Sequence, residues 1–325
     1  MADSGAQGAP PDGGGTPATS RPGLVVFARL PVPGRVKTRL AAGAGVGPDG
    51  ACDFYRACAM HALTQAASCS PWLDAYVYHS SADRTADVAA WLDGEGLALP
   101  CSPQISAAAA SSSGSAPQPE PDLGAKMLAA MRDTRQRGGH TKVLITGTDI
   151  PDLSESILRC AVDALDSHEM VIGPAMDGGY YLMGLTRLEE SLFQDMAWST
   201  DTVLAETLAR ARAAGLRLAP ADMLPPLRDV DTVEDLAEWV VSCGPGSNQG
   251  ASASARGTPE DAGYTGEHTG APPEARQDKA VAGSEVGRGD EASRRRTQLL
   301  VVSKQLLARA GFAGDTAAAA PAGSE

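Results

Sequence analysis

Between residues 24 and 241, short apolar runs alternate with longer segments of helical period, and that alternation leaves few architectures open. Runs at 24–27, 75–79, 143–146, 170–173, 180–185 and 216–219 read as strands. The segments at about 50–68, 84–92, 123–135, 155–165, 202–214 and 233–241 read as helices. The pattern predicts an α/β fold with a largely parallel sheet covered on both faces.

The flanks have a different composition. Residues 1–20 are Gly, Pro, Ser, Thr and Ala without period, which predicts disorder, and 102–121 reads as a low-complexity insertion within the domain 21–243. Beyond it, 244–325 opens on another low-complexity run. Only 294–311 carries a helical pattern, through Leu299, Val302, Leu306 and Leu307. Arg294, Arg295 and Arg296 would open that helix with cations at the wrong end of its dipole, so a docked helix and a weakly helical tail both stay open. The tail adds little apolar surface, and its removal is expected to leave the fold standing.

Charge and cysteine usage exclude several function classes. The net charge of −13 rules against a broad phosphate-tracking surface for nucleic acid, but not against a small phosphate pocket built from a few cations. No stretch approaches the roughly 18 apolar residues of a membrane helix. The N-terminus lacks the basic start and apolar run of a secretory signal, so a cytoplasmic protein without membrane contact is expected. The six cysteines form no CxxC pair and have no histidine at ligand spacing, so they are expected to be free thiols.

Ligands in such sheets collect beyond the carboxyl ends of the strands, and four unusual patches come just after strands here. The first is 27–40 (FARLPVPGRVKTRL), where Arg29, Arg35, Lys37 and Arg39 ride on a loop stiffened by Pro and Gly. Such a loop can fold cations and N–H groups around a diphosphate. It is not a P-loop, because Val36 stands where a glycine must precede the lysine.

In the second patch Asp149 directly follows a strand, and Gly147 allows close approach. One carboxylate together with substrate phosphates is a common way to hold Mg²⁺ or Mn²⁺. The third patch places Asp177, Gly178, Gly179 and Tyr180 after another strand. There Asp177 can accept a hydroxyl proton, and the glycines let backbone come close. In the fourth, Thr232 and Asp235 fit a capping box, which leaves Asp229 and Asp231 in the loop before the helix, with Asp231 a candidate second metal ligand. The hairpin, turn and capping explanations of these patches remain open beside the chemical ones. No histidine falls in any patch, so carboxylates, cations and a metal must carry any chemistry.

In this order, 27–40, 122–127 (DLGAKM), 147–153 (GTDIPDL), 173–185 (GPAMDGGYYLMGL) and 229–236 (DVDTVEDL) resemble the radical-SAM/selenodomain-associated transferase 1 family, the arsenosugar-biosynthesis glycosyltransferase-like proteins. The resemblance implies the GT-A architecture of nucleotide-diphospho-sugar transferases, a three-layer Rossmann-like sandwich. It also implies that Asp149 is the metal-binding aspartate after the central strand. Lys37 and Arg39 would belong to the phosphate loop, and Asp231 would be a second metal or substrate contact. One departure is visible: Ile150 and Pro151 follow Asp149, where an Asp-x-Asp pair is usual.

The expectation is a metal-dependent transferase that moves a glycosyl group from a nucleotide-sugar donor to a small-molecule acceptor. The Lys-Thr-Arg-Leu run is also similar to the loop of 2-phospholactate guanylyltransferases, so a nucleotidyltransferase that uses a nucleoside triphosphate and releases pyrophosphate is an alternative. A non-catalytic nucleotide or sugar-phosphate binder is the third.

Overall fold

This computed structural model describes residues 20–81, 83–104, 121–243 and 282–312. Strands β1 (Gly23–Ala28), β2 (Asp74–His79), β3 (Cys101–Pro103), β4 (Val143–Thr146), β5 (Met170–Pro174) and β6 (Tyr180–Leu185) form one sheet in the order β3-β2-β1-β4-β6-β5. Pairing is parallel from β3 through β4, and β6 alone runs against both its neighbours.

The apolar runs are strands because both of their faces are covered. On β1, Leu24 and Val26 turn to one layer and Val25 to the other. The first layer is α2 (Gly47–Ser68), α3 (Thr85–Gly94) and α5 (Glu155–Ala164), which bring Leu63, Val88 and Leu158 onto the sheet. The second is α4 (Leu123–Gly138) and α6 (Val203–Ala213), with Met131 and Ala211. The predicted strand at 216–219 shrinks to a single bridge between Leu218 and Met170. Pro220 comes at once after it and has no N–H with which to extend the ladder.

A separate core joins α2 to the short helix α1 (Thr38–Ala41), to α7 (Val233–Ser242) and to α8 (Ala282–Arg309). Here the structure corrects the reading of the tail. Helix α8 starts at Ala282, so the three arginines lie inside it and not at its N-terminus. Leu299, Leu306 and Leu307 are buried against a cluster that includes Phe54 and Trp239, so the tail contributes apolar surface after all. Residues 1–19, 105–120, 244–281 and 313–325, which include most of the segments expected to be disordered or inserted, lie outside the described residues. Among the described residues no helix is long and apolar enough to cross a membrane, and all six cysteines are free.

Candidate active site

The carboxyl ends of β1, β2 and β4 open into a cleft of about 740 Å³. The 27–40 loop enters it in a way its sequence explains. Gly34 turns at a φ of 74°, then Val36 is buried among Cys52, Tyr55 and Ala59, and Leu40 is buried in the α1–α2–α7–α8 core. Anchored on both sides, Lys37 is forced inward and takes a left-handed backbone (φ 44°, ψ 50°), which costs a non-glycine residue roughly 1–2 kcal/mol.

The strain places a buried ammonium among three carboxylates. Lys37 Nζ donates to Asp231 Oδ1 at 2.7 Å, Asp229 Oδ1 at 2.9 Å and Asp149 Oδ2 at 3.3 Å, and the lysine side chain is only 5% exposed. Burial alone would pull the ammonium down, but the charges of Asp149, Asp229 and Asp231 outweigh it and hold it above its ordinary value. Burial and the nearby Asp149 charge push the Asp229 carboxyl up, against the pull of Lys37. Asp231 is also partly desolvated, but Lys37 and Arg39 hold it below the usual carboxylate range.

Each aspartate is positioned by its own element. Asp149 follows β4, and a side chain at Gly147 would press to 2.7 Å from Asp149 Oδ1, so glycine keeps that wall clear. Asp229 and Asp231 point the same way because buried Val230 between them faces the core. A capping box then fixes the start of α7: Thr232 accepts from Asp235 N at 3.1 Å, while Asp235 Oδ2 accepts from Thr232 N at 2.9 Å.

Sequence reasoning missed Asp229 as a third member of the cluster. It also missed Tyr55, whose buried hydroxyl accepts from Arg29 N at 2.7 Å and lies 3.0 Å from Thr148 Oγ1, tying the ends of β1 and β4 together. Being buried, that phenol is pushed up to about 12 and stays neutral.

Three carboxylates whose candidate ligand atoms lie within 4.8 Å of one another are hard oxygen donors of the kind Mg²⁺ or Mn²⁺ takes. The donor set therefore fits such an ion, and Lys37 Nζ stands where it would bind.

The opposite wall is built by the β5–β6 turn and by residues 198–200. Asp177 Oδ1 accepts from Gly179 N at 3.0 Å. Gly178 (φ 89°) has no room for a side chain, because a Cβ would strike the carbonyl of Asp201. Tyr180 faces the cleft with Met127 Sδ 4.0 Å from its hydroxyl, and burial pushes its phenol up. Trp198, Ser199 and Thr200 complete the wall, and nothing in their local sequence marks them as site residues.

Of the predicted site residues, the cleft wall holds Arg29, Lys37, Arg39, Gly147, Asp149, Asp177, Gly179, Tyr180 and Asp231. Gly178 shapes the turn behind it, and exposed Arg35 does not line it. The predicted phosphate ligand Lys37 is engaged with carboxylates instead.

Residues 76–200 match the model of a family described as an uncharacterized protein conserved in bacteria, DUF2064. No curated protein matches the chain. Among solved structures, a Desulfovibrio desulfuricans G20 protein with the provisional name nucleotide-diphospho-sugar transferase is 25% identical, with a TM-score of 0.58, over 86% of this chain and 98% of its own. The mixed α/β fold of this chain matches that structure.

Two further structures show weaker likeness. A cytidylyltransferase from Leptospira borgpetersenii serovar Hardjo-bovis is 13% identical (TM-score 0.40; 70% of this chain, 89% of that one). A 4-diphosphocytidyl-2C-methyl-D-erythritol synthase from Anaerococcus prevotii DSM 20548 is 10% identical (TM-score 0.40; 67% and 95%).

Proposed function

We propose that the chain is a metal-dependent nucleotide-diphospho-sugar transferase, moving a glycosyl group from a nucleotide sugar to a hydroxyl of a small-molecule acceptor. The observation that carries this reading is the convergence of Asp149, Asp229, Asp231 and Lys37 on one end of a cleft whose other wall presents Asp177. The name of the Desulfovibrio protein agrees with it, as does the resemblance of the five motifs to the radical-SAM-associated transferases.

Asp149, Asp229 and Asp231 would hold a Mg²⁺ or Mn²⁺ ion, which when bound supplies Lewis-acid stabilisation to diphosphate oxygens. Arg29 and Arg39 bring further positive charge to the same end and offset the charge that develops on a leaving nucleoside diphosphate. Gly147 and Gly179 keep the walls low, so that ligand meets backbone. Across the cleft, Asp177 uses one oxygen to hold the Gly179 N–H, which leaves the other to receive the acceptor hydroxyl's proton. Tyr180, kept neutral, serves as a hydrogen-bond donor to the acceptor.

A thermal-shift screen of nucleoside mono-, di- and triphosphates and nucleotide sugars, each with Mn²⁺ and with EDTA, tests the reading. Metal-dependent stabilisation by a diphosphate or nucleotide sugar is expected, with release of a nucleoside diphosphate on turnover. Stabilisation by a triphosphate alone, with pyrophosphate released, would replace the reading with nucleotidyl transfer. Binding that EDTA does not affect, without turnover, would replace it with a sensor.

A further inference from the structure

The centre of the carboxylate cluster already holds a cation that belongs to the chain. Lys37 Nζ sits within 2.7–3.3 Å of all three aspartates. No other cation pairs with Asp149 or Asp229 among the described residues, whereas Asp231 also pairs with Arg39. A divalent ion needs those oxygens at about 2.0–2.2 Å, and it cannot share the centre with an ammonium of like charge. Lys37 also lines the cleft, so its side chain has somewhere else to go.

We propose that Lys37 is an exchangeable cation: its ammonium fills the three-carboxylate centre in the free protein, and a divalent ion displaces it into the cleft, where it becomes a ligand for the nucleotide's phosphates. The inference deepens the transferase reading and rests on it for the metal. It also reconciles the loop's sequence, which points Lys37 at phosphate, with its position among carboxylates. The exchange keeps the three like charges compatible before substrate arrives. It also weakens metal binding, because the ammonium must first be expelled from the centre.

Mn²⁺ alone, titrated into the full chain and monitored by the loss of its free EPR signal, is the first test. Lys37→Met should bind Mn²⁺ at least tenfold more tightly than wild type, because nothing has to be expelled. It should also melt at a lower temperature in EDTA, with Mn²⁺ restoring the loss. Equal or weaker binding by Lys37→Met would overturn the exchange.

A second test needs no variant and stands even if Lys37→Met fails to fold. Amine acylation of the wild-type chain, read by peptide mass spectrometry, should modify Lys37 slowly in EDTA and several-fold faster at saturating Mn²⁺. A rate unchanged by Mn²⁺ would overturn the proposal. If Mn²⁺ binds both proteins alike while nucleotide binding still needs metal, the exchange falls and the transferase reading survives. If neither protein binds Mn²⁺, the exchange and the metal-dependent reading fall together.

Discussion

The two walls of the cleft are built on opposite terms. On the Lys37 wall each of the three carboxylates pairs with a cation, and the loops that carry them are fastened from behind. The segment after Asp149 alone is held by His61 to the Leu153 carbonyl at 3.0 Å, by Trp239 Nε1 to Asp152 Oδ2 at 3.0 Å and by Arg296 to Asp152 Oδ1 at 2.6 Å. On the other wall Asp177 is exposed, and the buried Trp198 indole N–H finds no partner. Ser199 there holds a left-handed backbone at φ 65°, as Lys37 does at 44° on the first wall. A cluster of paired charges held by braced loops is preorganised, suited to a diphosphate. An exposed carboxylate that keeps one oxygen unpaired leaves a surface that a ligand completes, as an acceptor site requires.

Single-atom changes on the two walls should therefore fail differently. Asp149→Asn keeps shape but removes a charge from the cluster. It should lower kcat/KM by about 10³-fold or more and abolish metal-dependent nucleotide binding. Asp177→Asn should lower kcat by about 10²-fold while leaving nucleotide binding as it was, since a general base contributes to the step and not to donor affinity. Steady-state kinetics with a parallel binding titration separates them. If Asp177→Asn weakens nucleotide binding as much as Asp149→Asn does, the division into two walls is wrong.

Both walls were legible in part, for physical reasons: Asp177, Gly179 and Tyr180 were marked on the second by the turn after a strand, and Trp198, Ser199 and Thr200 were not. Lys37, Asp149 and Asp231 each stand beside a strand end or a helix cap, where Gly, Pro and capping residues mark the chain's direction. Asp229 is harder, because loop solvation explains it equally well until Val230 is seen to face the core. Tyr55 lies inside α2, and its partner Thr148 is 93 residues away, a pairing no local period reveals. Trp198 to Thr200 fall in an irregular stretch between β6 and α6, held by tertiary contacts such as Leu204 N to the Gly178 carbonyl at 3.0 Å. The strand order shares this limit: alternation predicts a parallel sheet, but that β6 is inserted in reverse between β4 and β5 depends on how the turn at Asp177 folds.

The bracing of the first wall predicts the next effect in size. Ending the chain at residue 243 removes Leu299, Leu306 and Leu307 and bares the apolar residues beneath them. With about 1.5–3 kcal/mol for each buried leucine, the loss is on the order of 5 kcal/mol, or at least about 10 °C in Tm. A truncated chain that melts within about 3 °C of the full one would show that α8 is not part of the brace.

His61 gives the same wall a sensitivity to acid. Burial, the leading cause, lowers its pKa to about 4, and the folded protein holds the ring neutral with Nε2 donating to Leu153. The unfolded chain takes up a proton near the ordinary histidine value. The contribution is therefore complete above about pH 6.5 and is lost as pH falls toward 4, at most about 3 kcal/mol. His61→Gln keeps a donor and has nothing to titrate. Its Tm should fall less steeply than that of wild type between pH 6.5 and 4.5, and parallel curves would remove His61 from the account.

The smallest expected effect falls on the second wall, at Ser199. Its left-handed backbone costs a side-chain-bearing residue about 1 kcal/mol, which glycine avoids. Glycine instead gives the unfolded chain about 0.5–1 kcal/mol more entropy to lose, so Ser199→Gly should leave Tm within about 2 °C. Its effect should appear in function. The hydroxyl is gone from the cleft and the loop is freer to leave its strained shape, so acceptor KM should rise several-fold while Mn²⁺ and nucleotide affinities stay level. A fall in Tm of more than about 3 °C with unchanged KM would mean that Ser199 holds the fold and not a ligand, and that stretch of the second wall would then be scaffold.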